Sequence, residues 1–330
     1  MAIQHEEWSG DAPEHPPLGG GPVSMEPFST DMFTEAVEEG GGTLQPLGDT
    51  TRGLLWVSPS GAEQLQEIVD RYPALEWIQL PWAGVDAFAS VLASIARMPR
   101  ESRPVVTSAK GAYSEPVAEH ALALLLGTLR ELPRKARDAQ WQKERTGISL
   151  FGRHIVVLGA GGVARAFLDL VAPFRPEVTV VRRNPGEVPG ARRTVTSDQL
   201  HQVLPSADAV IVAAAATQET EQVIGRRELE LMPDTAVVVN VARGSLVDAD
   251  AVLDAVSSGT IFGAGLDVMD PEPFPDDHPI WAEKRIVITS HSADTPPMTV
   301  PLLARRLRTN VAAYVAGNPL VGVVDVEAGY

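Results

Sequence analysis

Near the middle of the chain a β-branched run, Ile155-Val-Val-Leu158, meets Gly159-Ala-Gly161-Gly162-Val-Ala164 and passes directly into a helical pattern. This turn constrains the fold more than any other stretch. A β-branched run favours a strand buried in a parallel sheet, and glycines permit a sharp turn and close approach of the main chain to a ligand. The helix that follows aims its free N–H groups and positive dipole end at an anion. Together these are the dinucleotide-binding fingerprint in its G-x-G-x-x-A form, with Ala164 where a third glycine usually stands. An ordinary strand-to-helix turn of another α/β fold is the alternative, and the position after a strand and before a helix favours the fingerprint. Gly159, Gly161, Gly162 and Val163 are the expected pyrophosphate contacts.

The patterns on either side predict two α/β domains, which 330 residues with 44% hydrophobic composition can build. Residues up to about Gly21 read as a loose tail, and Pro22 to Met25 is a weak first strand. Ser29 to Val37 suits a short helix closed by Gly40-Gly-Gly42. Gly53–Ser58 reads as a strand, Ala62–Tyr72 as a helix and Trp77–Leu80 as a strand, a βαβ rhythm. A nearly continuous apolar helix from Ser114 towards Arg130 is expected to be buried between layers or domains. Six strands then follow, starting at Ile155, Val178, Ala209, Ala236, Gly263 and Ile286, as a doubly wound fold requires. After a break at Pro296-Pro297, a last amphipathic helix runs from Val300 to Val315.

The charge balance narrows the partners. Lys+Arg 27 against Asp+Glu 43 gives a net charge of −16, which repels phosphate backbones and anionic membranes, so neither nucleic acid nor a membrane is expected. With no cysteine there is no thiolate nucleophile, disulfide or Cys-based metal site. No signal peptide or membrane span is evident, and a cytoplasmic location is expected.

Three side chains stand at the carboxyl ends of successive predicted strands, where open α/β sheets build their sites. They are Arg243 in Asn240-Val-Ala-Arg243-Gly-Ser, Glu272 in Asp267-Val-Met-Asp-Pro-Glu272-Pro, and His291 in Thr289-Ser-His291-Ser-Ala293. An Arg, a carboxylate and a His are what reduction of a 2-oxo acid demands. The guanidinium grips carboxylate and carbonyl oxygens with planar, charge-assisted bonds and draws electrons from the carbon that receives hydride. The imidazolium supplies a proton, and a neighbouring carboxylate favours its charged form. Taken singly, each also has a plain reading as a helix-capping Arg, a surface Glu or a satisfied His.

The run from Val239 to Ala293, with the glycine turn, closely resembles the D-isomer-specific 2-hydroxyacid dehydrogenases. The motifs that carry the resemblance are Asn240-Val-Ala-Arg-Gly-Ser-Leu-Val-Asp248, Gly263-Ala-Gly-Leu-Asp-Val268 with Glu272-Pro273, and His278-Pro-Ile-Trp281. It covers roughly Gly84 to Val324. It implies two Rossmann-like domains: a discontinuous, flavodoxin-like substrate domain (1–112 plus 295–330) and a doubly wound dinucleotide-binding domain (113–294). It further implies Arg243 as substrate binder, Glu272 as the partner that tunes His291, and His291 as acid/base. Thr217, Val241, Ala242 and Asp267 are implied as cofactor contacts. Leu80-Pro-Trp-Ala-Gly-Val-Asp86 matches the family's substrate loop, so Trp82, Ala83, Gly84 and Val85 are candidate substrate contacts, with the amides of Gly84 and Val85 as donors. Trp56 is a weaker candidate for the pocket wall. His120 also matches the family but sits in an apolar helix, as a structural histidine does, and His154, His201 and His278 show no partner pattern. The chain departs from the family at Ser290, Asp294 and Ala215-Ala216, positions usually occupied by proline, a small residue and Pro-Leu.

The activity implied is reduction of small 2-oxo acids, in the manner of glyoxylate/hydroxypyruvate reductases, by a homodimer whose two domains clamp the substrate. A dinucleotide-sensing binding protein on the same scaffold, like the C-terminal-binding corepressors, is the alternative. For the cofactor, NAD-binding versions place an acid at the end of the second strand, about 20 residues past the glycines. Here that strand ends in Arg182-Arg183, with no acid until Glu187, and two guanidiniums suit an adenosine 2′-phosphate. NADP is therefore favoured over NAD.

Overall fold

The structure, a computed structural model, describes residues 15, 17–184 and 186–329. The chain divides into two compact units, one formed by residues up to Tyr113 and from Pro296 onward, the other by Ser114–Thr295.

The first unit begins with β1 (Val23–Glu26), α1 (Asp31–Glu39), β2 (Gly53–Trp56), α2 (Ala62–Arg71), β3 (Trp77–Gln79), α3 (Ala89–Ala96) and β4 (Val105–Thr107). Thr30 caps α1 by accepting the Phe33 N–H, which satisfies one of the amides a helix start leaves unpaired. The four strands are parallel in the order β1-β2-β3-β4, and Leu44 bridges in parallel to the outer side of β1. Counting that bridge as a strand reproduces the 2-1-3-4-5 flavodoxin-like order. Neither α3, β4 nor the Leu44 bridge was expected from the sequence.

The second unit runs α4 (Ser114–Leu129), α5 (Leu132–Lys135), β5 (His154–Leu158), α6 (Gly162–Val171), β6 (Glu177–Arg182), β7 (Arg193–Thr196), α7 (Leu200–Val203), β8 (Ala209–Val212), α8 (Arg226–Leu231), β9 (Val237–Asn240), α9 (Ala249–Ser258), β10 (Gly263–Leu266) and β11 (Ile286–Ile288). Its parallel sheet has the order β11-β10-β9-β8-β5-β6-β7. The six expected strands are all present, and β7 is a seventh. It lies at the sheet edge with one buried residue, Val195, so it lacks the apolar run that marks the central strands.

Helices cover both faces of this sheet. Ile155 and Val157 of β5 pack with Leu124, Leu125 and Phe167 from α4 and α6, while Val156 and Leu158 face the other way towards Leu200, Val252 and Val256. Alternate residues of one strand therefore feed two cores, which is why Ile155–Leu158 is apolar at every position. Phe167 is fully buried, and its truncation to alanine would cost about 3–5 kcal/mol.

The last helix, α10 (Pro296–Ala316), returns to the first unit and packs on α1. The expected break at Pro296-Pro297 is instead the first turn of this helix, where the missing N–H of proline has no intrahelical partner to lose. Arg306 of α10 is fully buried and donates to the Ser108 and Lys110 carbonyls at 2.7 and 2.9 Å. Asn310 likewise donates to Gln79 and to the Val321 carbonyl, tying helix, sheet and C-terminal segment together. Among the described residues no helix is long and apolar enough to cross a membrane.

Candidate active site

The sheet of the second unit reverses its winding between β5 and β8, and the glycine turn sits there, at the carboxyl end of β5. Gly159 has φ +104°, and a Cβ on it would overlap the Ala213 carbonyl group that follows β8. Its N–H donates to the Val181 carbonyl at 2.8 Å, so the turn is seated between the second and fourth strands of the unit. The helix α6 then begins at Gly162 from an extended Gly161, and no side chain caps it. An uncapped helix start behind a glycine turn fits a pyrophosphate, which several converging N–H groups bind without added charge. Arg182 closes β6 and is half-buried, and Arg183 follows it in an exposed bend. Thr217 lies in the loop after β8, where its N–H donates to the Thr220 hydroxyl at 2.8 Å. Val241 and Ala242 are buried directly after β9.

The loop that carries Arg243 is shaped by Asn240, the fully buried last residue of β9. Its amide donates to the Arg243 carbonyl at 2.9 Å and accepts the Ala242 N–H at 3.1 Å. Arg243 is partly buried, with Nη1 donating to the Ala242 carbonyl at 2.7 Å. The next residue must be glycine, because a Cβ on Gly244 would overlap the Met269–Asp270 peptide. That contact seats the Arg243 loop against the loop that carries Glu272.

Glu272 and His291 meet. Glu272 Oε2 lies 2.8 Å from His291 Nδ1, and Oε1 accepts the Met269 N–H at 3.3 Å. With Nδ1 occupied by the carboxylate, Nε2 is the nitrogen left to exchange a proton. Both side chains are about half exposed, 47% for His291 and 42% for Glu272, so the pair is reachable by a small ligand.

His291 adopts φ +46°, a left-handed conformation that costs a non-glycine residue about 1–3 kcal/mol. Asp267, immediately after β10, holds it there. The His291 N–H donates to the Asp267 carbonyl at 2.7 Å, and the Ser292 and Ala293 N–H groups donate to the two carboxylate oxygens at 2.9 and 3.1 Å. The Thr289 hydroxyl adds a 2.6 Å bond, and His120 Nε2 sits 2.9 Å from that hydroxyl and 3.3 Å from the carboxylate. Burial pushes the Asp267 carboxyl up, but the hydrogen bonds from His120, Thr289 and the Ser292 amide outweigh it and hold the group below the usual carboxylate range. Sequence reasoning made Asp267 a cofactor contact and missed this turn-building network.

Asp294 ends the same turn. Burial pushes its carboxyl above the usual range, against the pull of the positive charges at His291 and Arg243, with Asp267 pushing it further up. Trp82, Ala83, Gly84 and Val85 belong to the first unit, on the loop after β3. There Trp82 packs edge-on to Tyr113, whose hydroxyl donates to the Pro81 carbonyl at 2.6 Å, and the Ala109 N–H donates to the Trp82 carbonyl. Trp56 is no pocket wall: it is 1% exposed in the core, with its indole N–H on the Ser60 carbonyl. His154, His201 and His278 have partners, contrary to expectation: His154 with Thr179 and Ser206, His201 with Glu228, and His278 with Asp250.

Comparison with known proteins agrees with this geometry. The sequence model of the NAD binding domain of D-isomer specific 2-hydroxyacid dehydrogenases matches residues 121–293. An uncharacterized protein from Corynebacterium melassecola is 31% identical over 302 residues, covering 90% of this chain and 96% of that one. A glyoxylate reductase of Korarchaeum cryptofilum is 30% identical over 233 residues, covering 67% of this chain and 69% of its own. Among solved structures, a D-isomer specific 2-hydroxyacid dehydrogenase from Xanthobacter autotrophicus, in complex with NADPH and MES, superposes with a TM-score of 0.76 at 25% identity, covering 94% of this chain and all of that one. A dinucleotide turn at the switch point and a paired histidine and glutamate on the adjoining strand ends thus coincide with a family match over the same residues. The chain belongs to the D-isomer-specific 2-hydroxyacid dehydrogenases, a family of nicotinamide-dependent oxidoreductases.

Proposed function

We propose that this enzyme reduces small 2-oxo acids of the glyoxylate and hydroxypyruvate type to D-2-hydroxy acids, with NADPH as the preferred cofactor. The observation that carries the reading is the 2.8 Å pair between His291 Nδ1 and Glu272, which leaves Nε2 to protonate a carbonyl oxygen. The nicotinamide, when bound, supplies the hydride. Arg243 grips the substrate carboxylate and carbonyl and draws charge off the reacting carbon. Gly84 and Val85 add backbone N–H groups for the carboxylate, and Trp82 and Ala83 wall the pocket. Gly159, Gly161, Gly162 and Val163 cradle the pyrophosphate, Thr217, Val241, Ala242 and Asp267 line the rest of the cofactor groove, and Arg182 and Arg183 bind the 2′-phosphate. The glyoxylate reductase among the relatives and the NADPH-bound neighbour support these substrate and cofactor choices. The working unit is a homodimer acting in the cytoplasm.

Initial rates with NADPH and NADH against glyoxylate, hydroxypyruvate, pyruvate and bulkier 2-oxo acids test the reading. Turnover should be highest on the smallest acids with NADPH. Arg182→Asp should then reduce affinity for NADPH about ten- to a hundredfold more than for NADH, the worth of one charged hydrogen bond. Tight cofactor binding without turnover on any 2-oxo acid would assign the scaffold to binding instead, and equal losses with both cofactors would remove Arg182 from its role.

A further inference from the structure

His120 is a titratable residue that the Arg243, Glu272 and His291 chemistry leaves unused. It shares one face of α4 with Leu124 and Thr128, each four residues on. That face lies along β10. The Thr128 hydroxyl donates to the Ala264 carbonyl at 3.4 Å, and a Cβ on Gly265 would meet the Leu124 Cβ at 2.8 Å. His120 comes next and reaches Asp267, the residue that follows the strand, at 3.3 Å. The hydrogens of this contact follow by elimination. Despite its burial, the Asp267 carboxyl is held below the usual range by its hydrogen bonds, so at neutral pH it is ionised and only accepts. The Thr289 hydroxyl, 2.6 Å away, therefore gives its single hydrogen to Asp267 Oδ1. Towards His120 Nε2, at 2.9 Å, that hydroxyl is left to accept, so Nε2 carries a proton in either charge state of the ring.

Thr289 belongs to the catalytic turn itself. Its carbonyl accepts the His291 N–H at 2.9 Å, alongside the Asp267 carbonyl at 2.7 Å. One residue thus touches the main chain of His291 and, through its hydroxyl, the carboxylate that takes the Ser292 and Ala293 amides. A threonine side chain has three staggered positions, and a donor at His120 favours the one that meets Asp267. We propose that His120 is a positioning residue for proton transfer: its Nε2–H fixes the Thr289 side chain against Asp267 and so keeps His291 in the conformation that pairs its imidazole with Glu272. The proposal rests on the reading of His291 as the acid of the reaction. The left-handed φ of +46° is unfavourable for a histidine and persists only where its surroundings enforce it. Loss of a donor from the network therefore lets the turn relax towards conformations in which the imidazole no longer meets the glutamate.

The test combines kinetics on the best 2-oxo acid substrate with the protonation of the ring. His120→Leu removes the donor and keeps much of the volume, whereas His120→Gln returns an N–H near the place of Nε2. We expect kcat to fall about tenfold in His120→Leu and to stay within about twofold of wild type in His120→Gln, with KM for the acid unchanged in both. In a His291→Asn background, His120→Leu should cost nothing further, because no imidazole is left to position. An equal loss in both backgrounds overturns the proposal, since His120 would then support the fold and not His291. An unchanged kcat in His120→Leu, or a Gln variant no better than Leu, overturns it too. In ¹⁵N NMR of the whole chain, with the ring assigned by its absence from His120→Gln, the His120 proton should sit on Nε2. A neutral ring with its proton on Nδ1 overturns the proposal without recourse to any loss of activity. If His291→Asn alone leaves kcat unchanged, the reading of His291 as the acid falls and the proposal with it. A loss in His291→Asn with none in His120→Leu leaves that reading standing and removes His120 alone.

Discussion

Gly159 and His291 both sit just past a strand end of one sheet, and both have positive φ, +104° and +46°. They reach it by opposite means. Glycine occupies the left-handed region at no steric cost, so this turn is held by one main-chain bond, from the Gly159 N–H to the Val181 carbonyl, and the helix start behind it has no side-chain cap. Histidine pays for the same region, and the turn that presents it is held by five contacts to one buried carboxylate residue: the Asp267 carbonyl takes the His291 N–H, while its side chain takes Ser292, Ala293, Thr289 and His120. A site made from backbone needs a small residue at the bend. A site made from a side chain needs the bend stabilised from elsewhere in the fold.

The contrast can be separated into conformation and chemistry. Asparagine tolerates the left-handed region, so His291→Asn keeps the turn and removes the proton donor. We expect kcat for 2-oxo acid reduction to fall about 10²–10⁴-fold while the urea midpoint and cofactor affinity stay near wild type. A comparable loss of stability would mean that the imidazole, and not Asp267, holds the turn. Gly159→Ala makes the opposite cut. It adds no chemistry, yet a methyl group there is strained by the positive φ and overlaps the Ala213 carbonyl. The expected cost is about 3 kcal/mol of stability in urea unfolding, with cofactor affinity falling alongside. Wild-type stability and affinity in this variant would erase the distinction between the two turns.

The same contrast decides what could be read from the sequence. The glycine turn, the strand runs around Ile155, Val210 and Val238, and the order of Arg243, Glu272 and His291 are visible because each is local: a run, a spacing or a motif. The edge strand β7 is Arg-Thr-Val-Thr with one buried residue, and no periodicity that short separates it from a loop. The network under His291 is invisible for another reason. His120 and Thr289 are 169 residues apart, and only the way α4 crosses β10 and β11 brings them within 2.9 Å. The pairs His201–Glu228 and His278–Asp250 are hidden in the same way, each joining residues 27 or 28 positions apart through the winding of the sheet. The two prolines at 296 and 297 misled because proline ends helices from within but starts them from the first turn.

Asp267 itself gives the finest test of the contrast, and pH sets its direction. Its carboxyl is held below the usual range in the folded chain, against about 3.9 when unfolded. Such a group stabilises the fold above the unfolded pKa and loses that contribution as pH falls through the folded value. Asp267→Asn keeps the shape and one acceptor but leaves either the Ser292 or the Ala293 N–H without its partner and removes the charge that His120 and Thr289 meet. At neutral pH we expect the variant to be about 2 kcal/mol less stable in urea unfolding, the worth of one charge-assisted hydrogen bond. The gap should then narrow as the pH falls below about 4 and on through the folded value, because the unfolded wild-type chain takes up a proton first and the folded carboxylate last, whereas Asn does not titrate. A gap that stays constant down to acid pH would show that Asp267 acts through shape alone, and the left-handed histidine would need some other support than its charge.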